Sequence, residues 1–465
     1  MPPHDRTPSR QAFLTLTALA VVCLSNVTTA ALAQSDQYAV IDIGGLGGGF
    51  TKAWGINNSG TVTGVSFTDG DLYYRAFQWS CGGIQDLGSF GGPGLNSHGD
   101  GINDMGDICG WSDYEGGAPF DYHTFVSRDG VMYDLGTLGG DSSEAYDIND
   151  VGIVVGVSET VPGDAESLAC KWVHGVPVAL PGIGGRISRA FGVNNAGFVV
   201  GKSGAKTFTE HAVYWTPNNE IVELDKNRQS RSTAMSINDA GWIVGQASAG
   251  SDDHAHLWVS GHSFDIHDSA EDDSLAWAIN NNNQVVGHTW SYGEDGWHFY
   301  WDEESGMVRL EDLAPTRCDW IFRGAFDIND LGQIVGSGQR TGDGPWDRHG
   351  FLMTPVYPSF DLSQPSPAIA GKMNGIQATN VEPGAKVYFV YGFEGGGTLI
   401  PTCDVTVNAL QIDNAQVAGS AIADINGVAE LRGRVAKNMS GRTLLFQALI
   451  PSSCEISNLV VQKFE

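Results

Sequence analysis

The stretch Ala145-Tyr-Asp-Ile-Asn149-Asp-Val-Gly152-Ile-Val-Val-Gly156 decides the fold, because its pattern recurs along most of the chain. An asparagine preceded by isoleucine or valine returns at intervals of 42 to 49 residues. The seven copies of this repeat asparagine are Asn57, Asn103, Asn149, Asn194, Asn238, Asn280 and Asn329. Self-similarity at this period is typical of solenoids and propellers.

Each repeat asparagine is followed by a glycine three residues later and another seven residues later, except that Asn283 replaces the first glycine of the sixth repeat. Asn-x-x-Gly is the pattern of a type I turn, with asparagine first and glycine fourth. Asparagine is the residue that best tolerates the left-handed region after glycine, so Asn283 follows the same rule. The pattern predicts a tight turn between two strands in every repeat.

Two more strands follow in each repeat. Ala212-Val-Tyr-Trp215 is typical of the third strand and Tyr133-Asp-Leu-Gly136 of the fourth. Four short strands in about 45 residues form the blade of a propeller. In the first strand, Ala53 and Gly55 alternate with Trp54 and Ile56, which predicts that large side chains of one blade pack against small ones of the next.

The two ends of the repeat region complement each other. The last repeat stops after its third strand, His349-Gly-Phe-Leu352, whereas a fourth-strand element stands alone at Tyr38–Gly44. A solenoid would instead need distinctive end caps. We therefore predict an all-β fold in which residues 34–356 form a seven-bladed β-propeller. Its N-terminal strand completes the last blade and removes both sheet edges.

The repeat motifs resemble the HAF repeats of bacterial extracellular proteins. Asp134-Leu-Gly-Thr-Leu-Gly-Gly140 and Asp147-Ile-Asn-Asp-Val-Gly152 match two hallmarks of that family, and the His-Ala-Phe triplet is present in degenerate form, as at His211-Ala-Val213. The resemblance covers residues 38–355. It implies an exported protein and supplies no catalytic residues, because the family has no established activity.

A different composition begins near residue 357. Pro358, Pro365 and Pro367 mark a linker, and alternating segments such as Lys386-Val-Tyr-Phe-Val-Tyr391 then predict a small β-sandwich over residues 357–465. Cys403 and Cys454 are the cysteines of this module, and neither fits a repeat position, so we predict a disulfide between them. Cys109 and Cys170 replace apolar core residues and are predicted to be buried thiols. Cys81 and Cys318 have no evident pairing.

The N-terminus predicts export. Two arginines in the first ten residues precede the apolar stretch Ala12–Leu24, which is too short to span a bilayer, and Ala31-Leu-Ala33 is a small-x-small cleavage signal. We predict that residues 1–33 are a signal peptide cleaved near Ala33. No second apolar segment has spanning length, so we expect a secreted or periplasmic protein without a membrane span.

The charge excludes one class of partner. The net charge is −29, and a surface this acidic repels nucleic acid and anionic lipid. It suits solubility, cations and neutral partners such as glycans. An extracellular glycan or protein is therefore the expected partner, and the oligomeric state stays open.

Three motifs resemble known ligand sites. Gly197 and Gly201 have three residues between them where a phosphate-binding loop needs four, and Val151 occupies a position where a calcium loop needs an oxygen ligand. His254 and His256 have the spacing of a zinc pair on a strand, but both occupy regular repeat positions. We therefore predict neither a metal site nor a cofactor.

The long, variable loops mark the expected binding face. The loops after the second and fourth strands share one rim, and they mix aromatic rings with carboxylates, as carbohydrate sites do. The candidate ligand-binding residues are Trp290, Trp297, Trp320, Trp346, Asp113, Asp121, Asp295 and Asp347. The same aromatic residues would also suit packing of the loops onto the blades.

The sequence leaves two classes of function open. The first is a non-catalytic binding or scaffold protein of the envelope or exterior, which is favoured because no catalytic constellation stands out. The second is a glycan-cleaving enzyme with a carboxylate pair in the propeller funnel.

Overall fold

The computed structural model describes residues 38–80, 83–117, 121–163, 166–206, 209–225, 231–291, 296–356, 358–400, 409–452 and 454–465. Within these ranges the all-β prediction is confirmed: strands dominate, with one short helix, α1 (Leu310–Leu313), and one 3-10 turn, Lys437–Met439. No helix in this part of the chain has the length and apolar character needed to cross a membrane. The predicted signal peptide lies outside the described residues.

Seven sheets of the described chain contain four antiparallel strands each, an arrangement of the β-propeller type, and we call them repeat sheets 1 to 7. Repeat sheets 1 to 6 follow chain order, and the first strand of the chain, β1 (Tyr38–Asp42), belongs to repeat sheet 7. The strands are β2 (Gly47–Ile56), β3 (Val62–Thr68), β4 (Tyr74–Ser80) and β5 (Gly83–Asp86) in sheet 1; β6 (Ser97–Ile102), β7 (Ile108–Asp113), β8 (Tyr122–Arg128) and β9 (Val131–Asp134) in sheet 2; β10 (Ser143–Ile148), β11 (Val154–Glu159), β12 (Ser167–Val173) and β13 (Val176–Ala179) in sheet 3; β14 (Ser188–Val193), β15 (Val199–Gly204), β16 (Glu210–Trp215) and β17 (Ile221–Glu223) in sheet 4; β18 (Ser232–Ile237), β19 (Ile243–Ala249), β20 (Asp252–Val259) and β21 (His262–Asp265) in sheet 5; β22 (Asp273–Ile279), β23 (Val285–Trp290), β24 (His298–Asp302) and β25 (Gly306–Arg309) in sheet 6; and β26 (Trp320–Ile328), β27 (Ile334–Arg340), β28 (His349–Pro355) and β1 in sheet 7.

Strand β1 pairs with β28, as the sequence of this segment predicts. The two strands are antiparallel, with Tyr38 opposite Pro355 and Asp42 opposite Phe351. His349 Nδ1 lies 2.9 Å from Asp42 Oδ2, and this contact raises the pKa of His349. The same histidine–aspartate pair joins third and fourth strands in repeat sheets 2 and 5, so β1 makes the contacts of a fourth strand.

The repeat asparagine organises each turn. In every repeat its Oδ1 accepts a hydrogen bond from the backbone N–H four residues later, and it is at most 5% exposed. Six of the glycines three residues on have positive φ, as has Asn283 at 61°. The predicted Asn-x-x-Gly turn is therefore confirmed, including its exception.

The core lies between neighbouring repeat sheets, where the large side chains of one sheet meet the next. Trp215 of β16 is fully buried in a cluster with Val155 and Ala169 of repeat sheet 3, and its indole N–H donates to Pro181 O at 2.8 Å. Trp172 donates in the same way to Gly136 O. Because both of these indole N–H groups have a carbonyl acceptor, Trp215 and Trp172 fill the core without an unsatisfied donor.

The C-terminal residues form two facing sheets and a two-stranded ribbon. Residues of both larger sheets, including Ile376 and Phe446, share one apolar core, which is the arrangement of a sandwich. The strands are β29 (Asp361–Leu362), β30 (Met373–Thr379) and β35 (Ala429–Arg434) in one sheet; β31 (Lys386–Gly392), β34 (Gln416–Ile422), β36 (Thr443–Ile450), β37 (Glu455–Ile456) and β38 (Val460–Lys463) in the other; and β32 (Gly395–Leu399) with β33 (Ala409–Ile412) in the ribbon.

The ribbon packs against β1, so this module and the repeat sheets share a core. Ile41 of β1 belongs to one buried cluster with Ile400, Leu410 and Ile412. Arg340 of repeat sheet 7 adds ion pairs to Asp319 and to Asp413 of the module. The module therefore covers the strand that completes repeat sheet 7.

The cysteines differ in environment. Cys109 and Cys170 are buried free thiols, as predicted, and burial raises the pKa of both. Cys318 is a partly buried free thiol. Cys81 and Cys403 lie outside the described residues, so the Cys403–Cys454 disulfide stays a prediction.

Candidate functional site

A β-bulge recurs in the first strand of every repeat sheet. The residue three positions before the repeat asparagine has no partner on the second strand, because the register shifts around it. All seven of these bulged residues line one cavity of about 640 Å³. They are Trp54, Asp100, Tyr146, Phe191, Met235, Trp277 and Phe326.

The bulge corrects one detail of the predicted packing. A simple alternation would place Trp54 and Ile56 on the same face, against small residues of the next blade. Trp54 instead lines the cavity, because a bulge inserts an extra residue and re-aims its side chain. Sequence alternation alone does not reveal such an insertion.

The cavity lies on the side of the loops that precede the first strands. Residues earlier in these strands also line it, among them His98, Glu144 and Arg189, whereas the repeat asparagines do not. The described parts of the variable loops therefore lie toward the same end of the repeat sheets as this cavity, and the asparagine turns lie at the opposite end.

One wall of the cavity is aromatic. The Trp54 ring stacks on Phe326 with centroids 4.1 Å apart, and Trp277 meets both rings edge-on at 6.3 and 6.1 Å. Lys52 Nζ lies 5.4 Å from the Trp54 ring and 5.6 Å from the Phe326 ring. Burial lowers the pKa of Lys52. The wall thus combines flat apolar faces with one cation.

The other wall is polar. His98 Nδ1 lies 3.0 Å from Asp100 Oδ1, and the Tyr146 hydroxyl donates to Glu144 at 2.9 Å. Burial raises the pKa of Asp100, and burial together with the Asp100 charge raises the pKa of Glu144. Arg189 donates to the Tyr146 oxygen at 3.4 Å.

Three buried polar atoms at the cavity have no hydrogen bond to any described residue: Trp54 Nε1, His98 Nδ1 and Asp100 Oδ2. Of these, His98 Nδ1 lies within ion-pair distance of Asp100 Oδ1. An unsatisfied buried donor or acceptor costs about 1–3 kcal/mol, so such atoms in a native site call for a partner such as water or a ligand. Trp54 Nε1 offers a donor and Asp100 Oδ2 an acceptor.

Two further carboxyl groups at the cavity have structural roles. Asp147 accepts hydrogen bonds from the N–H groups of Ile148 and Val193, and Asp327 accepts them from Ile328 and Ile56. Each aspartate thereby joins its own sheet to the next. Burial raises the pKa of Asp147 to about 6 and that of Asp327 to about 7.

The opposite end of the repeat sheets carries a second cavity of about 330 Å³, lined by the asparagine turns. The residue after each repeat asparagine is aspartate or asparagine, and in all seven turns its side chain accepts the N–H of the preceding repeat's equivalent. These side chains are Asn58, Asp104, Asp150, Asn195, Asp239, Asn281 and Asp330. Because their oxygens accept hydrogen bonds from neighbouring turns, we assign these seven side chains a structural role.

The predicted tryptophans fall into different environments. Trp346 is 85% exposed, which is unusual for this residue, whereas Trp320 is 5% exposed and packs on Phe322 and Phe351. Trp290 is partly buried and stacks on His288 at 4.7 Å, and Trp297 lies under the Arg309 guanidinium. The burial of Trp320 makes it a packing residue, so among these four Trp346 presents the most accessible face.

Two of the predicted aspartates accept hydrogen bonds from neighbouring loop residues. Asp113 accepts hydrogen bonds from the backbone and side-chain nitrogens of Asn96, and Asp347 accepts one from Gly344. Asp121 is partly buried, and Asp295 lies outside the described residues. Trp290, Trp297 and Trp320 each have their ring contacts with other residues and not with one another.

His254 and His256, the histidines with zinc-pair spacing, have ordinary polar partners. His254 pairs with Asp265 at 2.7 Å and stacks on His267, and His256 Nδ1 contacts His254 O. His254 thus makes the same contact with an aspartate as His123 and His349.

Comparison with known proteins gives no family for this chain and only distant structural similarities. The chain matches no protein-family model and no curated protein. Among solved structures it is similar to a fungal alcohol oxidase of the AA5 family in complex with copper, at 10% identity over 92% of this chain and 99% of that one, with a TM-score of 0.42. Puromycin hydrolase matches at 10% identity over 72% and 59%, with a TM-score of 0.47. A putative TolB from Agrobacterium tumefaciens matches at 12% identity over 59% and 94%, with a TM-score of 0.39. At these scores the similarities carry no argument about activity.

Proposed function

We propose that the repeat sheets are the blades of a closed seven-bladed β-propeller. The support is a cycle of hydrogen bonds in which the side-chain amide of each repeat asparagine donates to the backbone oxygen of the next repeat asparagine, and that of Asn329 donates to Asn57 O. A cycle of this kind needs every repeat beside its successor and the last beside the first. The N-terminal strand then serves as the closing strand.

We further propose that the protein is an exported, non-catalytic binding protein whose axial cavity takes a neutral glycan. A sugar ring presents an apolar face that stacks on aromatic rings, and hydroxyls that both donate and accept hydrogen bonds. The wall of Trp54, Trp277 and Phe326 supplies the rings. Trp54 Nε1 and Asp100 Oδ2, which lack partners among the described residues, supply a donor and an acceptor, and this observation carries the proposal.

A glycan array followed by calorimetry with the best oligosaccharide tests this site. Trp54→Phe keeps the ring and removes the N–H, and Asp100→Asn keeps the shape and changes the charge. We expect each variant to weaken binding about ten-fold, equivalent to about 1.4 kcal/mol. Trp290→Ala and Trp346→Ala measure the contribution of the outer rim. If these two weaken binding and the axial variants do not, the ligand occupies the rim and the axial proposal fails.

A glycan-cleaving enzyme is the second candidate, because Asp100 and Glu144 line the cavity and the pKa of each is raised. A carboxyl group with a raised pKa suits a general acid. Release of reducing ends from the bound oligosaccharide, abolished by Glu144→Gln, would favour the enzyme. Binding without turnover over days would favour the binding protein.

We also propose membership of the HAF-repeat family and export after cleavage near Ala33. The support is the motif pattern and the order of arginines, apolar stretch and cleavage signal in residues 1–33. Sequencing the N-terminus of the exported protein tests the export proposal, with Gln34 expected as the first residue. An intact Met1 on protein recovered outside the cytoplasm would contradict it.

A further inference from the structure

The C-terminal module contains an apolar cavity of about 390 Å³ between its two larger sheets. Its mouth lies between β34 and β35, the edge strands of those sheets. Buried aromatic and aliphatic side chains form its inner wall, namely Ile376, Phe389, Leu444, Phe446 and Phe464. Leu431, Val435 and Met439 are partly buried nearer the surface, and Val417 is 65% exposed. The size falls within the range of ligand sites.

The C-terminal module is far less acidic than the repeat region, and basic residues lie at this cavity. Residues 357–465 carry seven basic and nine acidic side chains, whereas residues 34–356 carry 16 basic and 44 acidic ones. Arg432 and Arg434 line the mouth. Lys437 contacts Gly371 beside the cavity, and the N–H of Phe464, a lining residue, donates to Arg442 O.

Acidic groups near the mouth are few. Glu430 pairs with Arg432 at 2.7 Å, and Glu465 follows the lining residue Phe464. Strand β34, which forms one side of the mouth, has no charged side chain. A ligand that enters here therefore meets an apolar interior with a positively charged entrance.

We propose that this cavity binds the acyl chain of an anionic amphiphile, with the acidic headgroup at Arg432 and Arg434. Burial of the chain supplies the affinity, because every CH₂ group that leaves water for the apolar interior adds to the binding free energy. The guanidinium groups supply selectivity, because they bind carboxylate and phosphate oxygens with good geometry. The site is separate from the axial cavity, so it stands or fails independently of the proposed glycan site.

Calorimetry with monomeric laurate and the full chain from Gln34 tests the cavity. Val417→Asp places a carboxylate at the mouth on an exposed position, where it costs little stability. The matched control is Ile422→Asp, on the same strand, 68% exposed and not a lining residue. We expect one laurate per chain, binding weakened at least ten-fold by Val417→Asp, and a change within two-fold for Ile422→Asp.

A second pair of variants tests the charge. Arg434→Glu is expected to weaken laurate binding at least ten-fold, whereas Lys386→Glu, a charge change away from the mouth, leaves it within two-fold. Dodecyltrimethylammonium has the same chain with a cation and is expected to bind at least ten-fold more weakly. Equal binding of the two amphiphiles overturns the proposal, and so do equal effects of both variants in either pair. Absence of laurate binding also overturns it, unless the vesicle experiment shows that the acyl chain comes from a membrane lipid.

Co-sedimentation with vesicles distinguishes the two sources of such a chain. Binding to vesicles of phosphatidylglycerol that is lost in Val417→Asp identifies a membrane lipid as the source. Binding of laurate without vesicle binding identifies a free fatty acid or a similar monomer. Equal binding to phosphatidylcholine vesicles contradicts the role of the arginines.

Discussion

The cycle of repeat asparagines predicts a large loss of stability when one member is removed. Asn149 is 4% exposed and lies in the turn between β10 and β11. Its Nδ2 donates to Asn194 O at 2.9 Å, and its Oδ1 accepts from Ile153 N at 2.8 Å. Asn149→Ala removes both hydrogen bonds and leaves the partly buried N–H of Ile153 without a partner, whereas Asn194 O keeps its bond from the N–H of Gly197.

The magnitude follows from one orphaned group and one lost hydrogen bond. The unsatisfied N–H of Ile153 costs about 1–3 kcal/mol and loss of the bond to Asn194 O costs about 1 kcal/mol, so we expect a loss of about 3 kcal/mol. That loss changes the ratio of folded to unfolded protein more than 100-fold. The backbone bond from Gly152 N to Asn149 O remains, so the turn itself is retained.

Asp150→Ala is the matched control. Asp150 is the next residue of the same turn and also makes two side-chain contacts with neighbouring turns, to Asp104 N and Asn195 Nδ2. It is exposed, so water replaces these bonds and we expect a loss below about 1 kcal/mol. The difference between the variants isolates the effect of burial.

Unfolding in guanidinium, followed by tryptophan fluorescence, measures both losses. All 13 tryptophans lie between residues 54 and 346, so the signal reports on the repeat region and not on the C-terminal module. If Asn149→Ala destabilises no more than Asp150→Ala, the buried asparagine cycle does not hold the repeats together. A loss confined to a separate, early transition would show that the repeats unfold independently and would contradict a closed ring.

Three further predictions concern closure, the disulfide and pH. Deletion of residues 34–44 should unfold the repeat region cooperatively, because both sheet edges become exposed, and an unchanged melting temperature would contradict closure. A Cys403–Cys454 disulfide would close a loop of about 50 residues and stabilise the fold by about 3–4 kcal/mol, and non-reducing peptide mapping that finds both thiols free would exclude it. Burial lowers the pKa of His288 to about 4 and that of His298 to about 3. Since the histidines of the unfolded chain bind protons near pH 6.5, these two residues lower the stability as the pH decreases from about 6.5 to about 4. Protonation of Asp147 and Asp327, whose pKa values are raised, acts in the opposite direction, so the test compares variants: His298→Gln should lose less stability than the parent over this interval.

Local chemistry allowed much of the fold to be predicted. An asparagine followed three residues later by a glycine favours a turn, because these residues suit the backbone dihedral angles of a turn and the preference acts within four residues. The positive φ of Asn283 follows from the same constraint. The pairing of β1 with β28 was predictable because a strand element missing at one end of a repeat array was present at the other.

The tertiary structure alone decided the candidate site. Alternation along β2 predicted that Trp54 packs between blades, but the bulge turns it into the cavity, and a bulge is set by pairing with a neighbouring strand. Burial of Trp320 and exposure of Trp346 likewise depend on which loops fold over them, although the two residues look alike in sequence. Sequence determined the turns and strands because these are local, whereas the cavities depend on side chains that are distant in sequence and meet only in the folded chain.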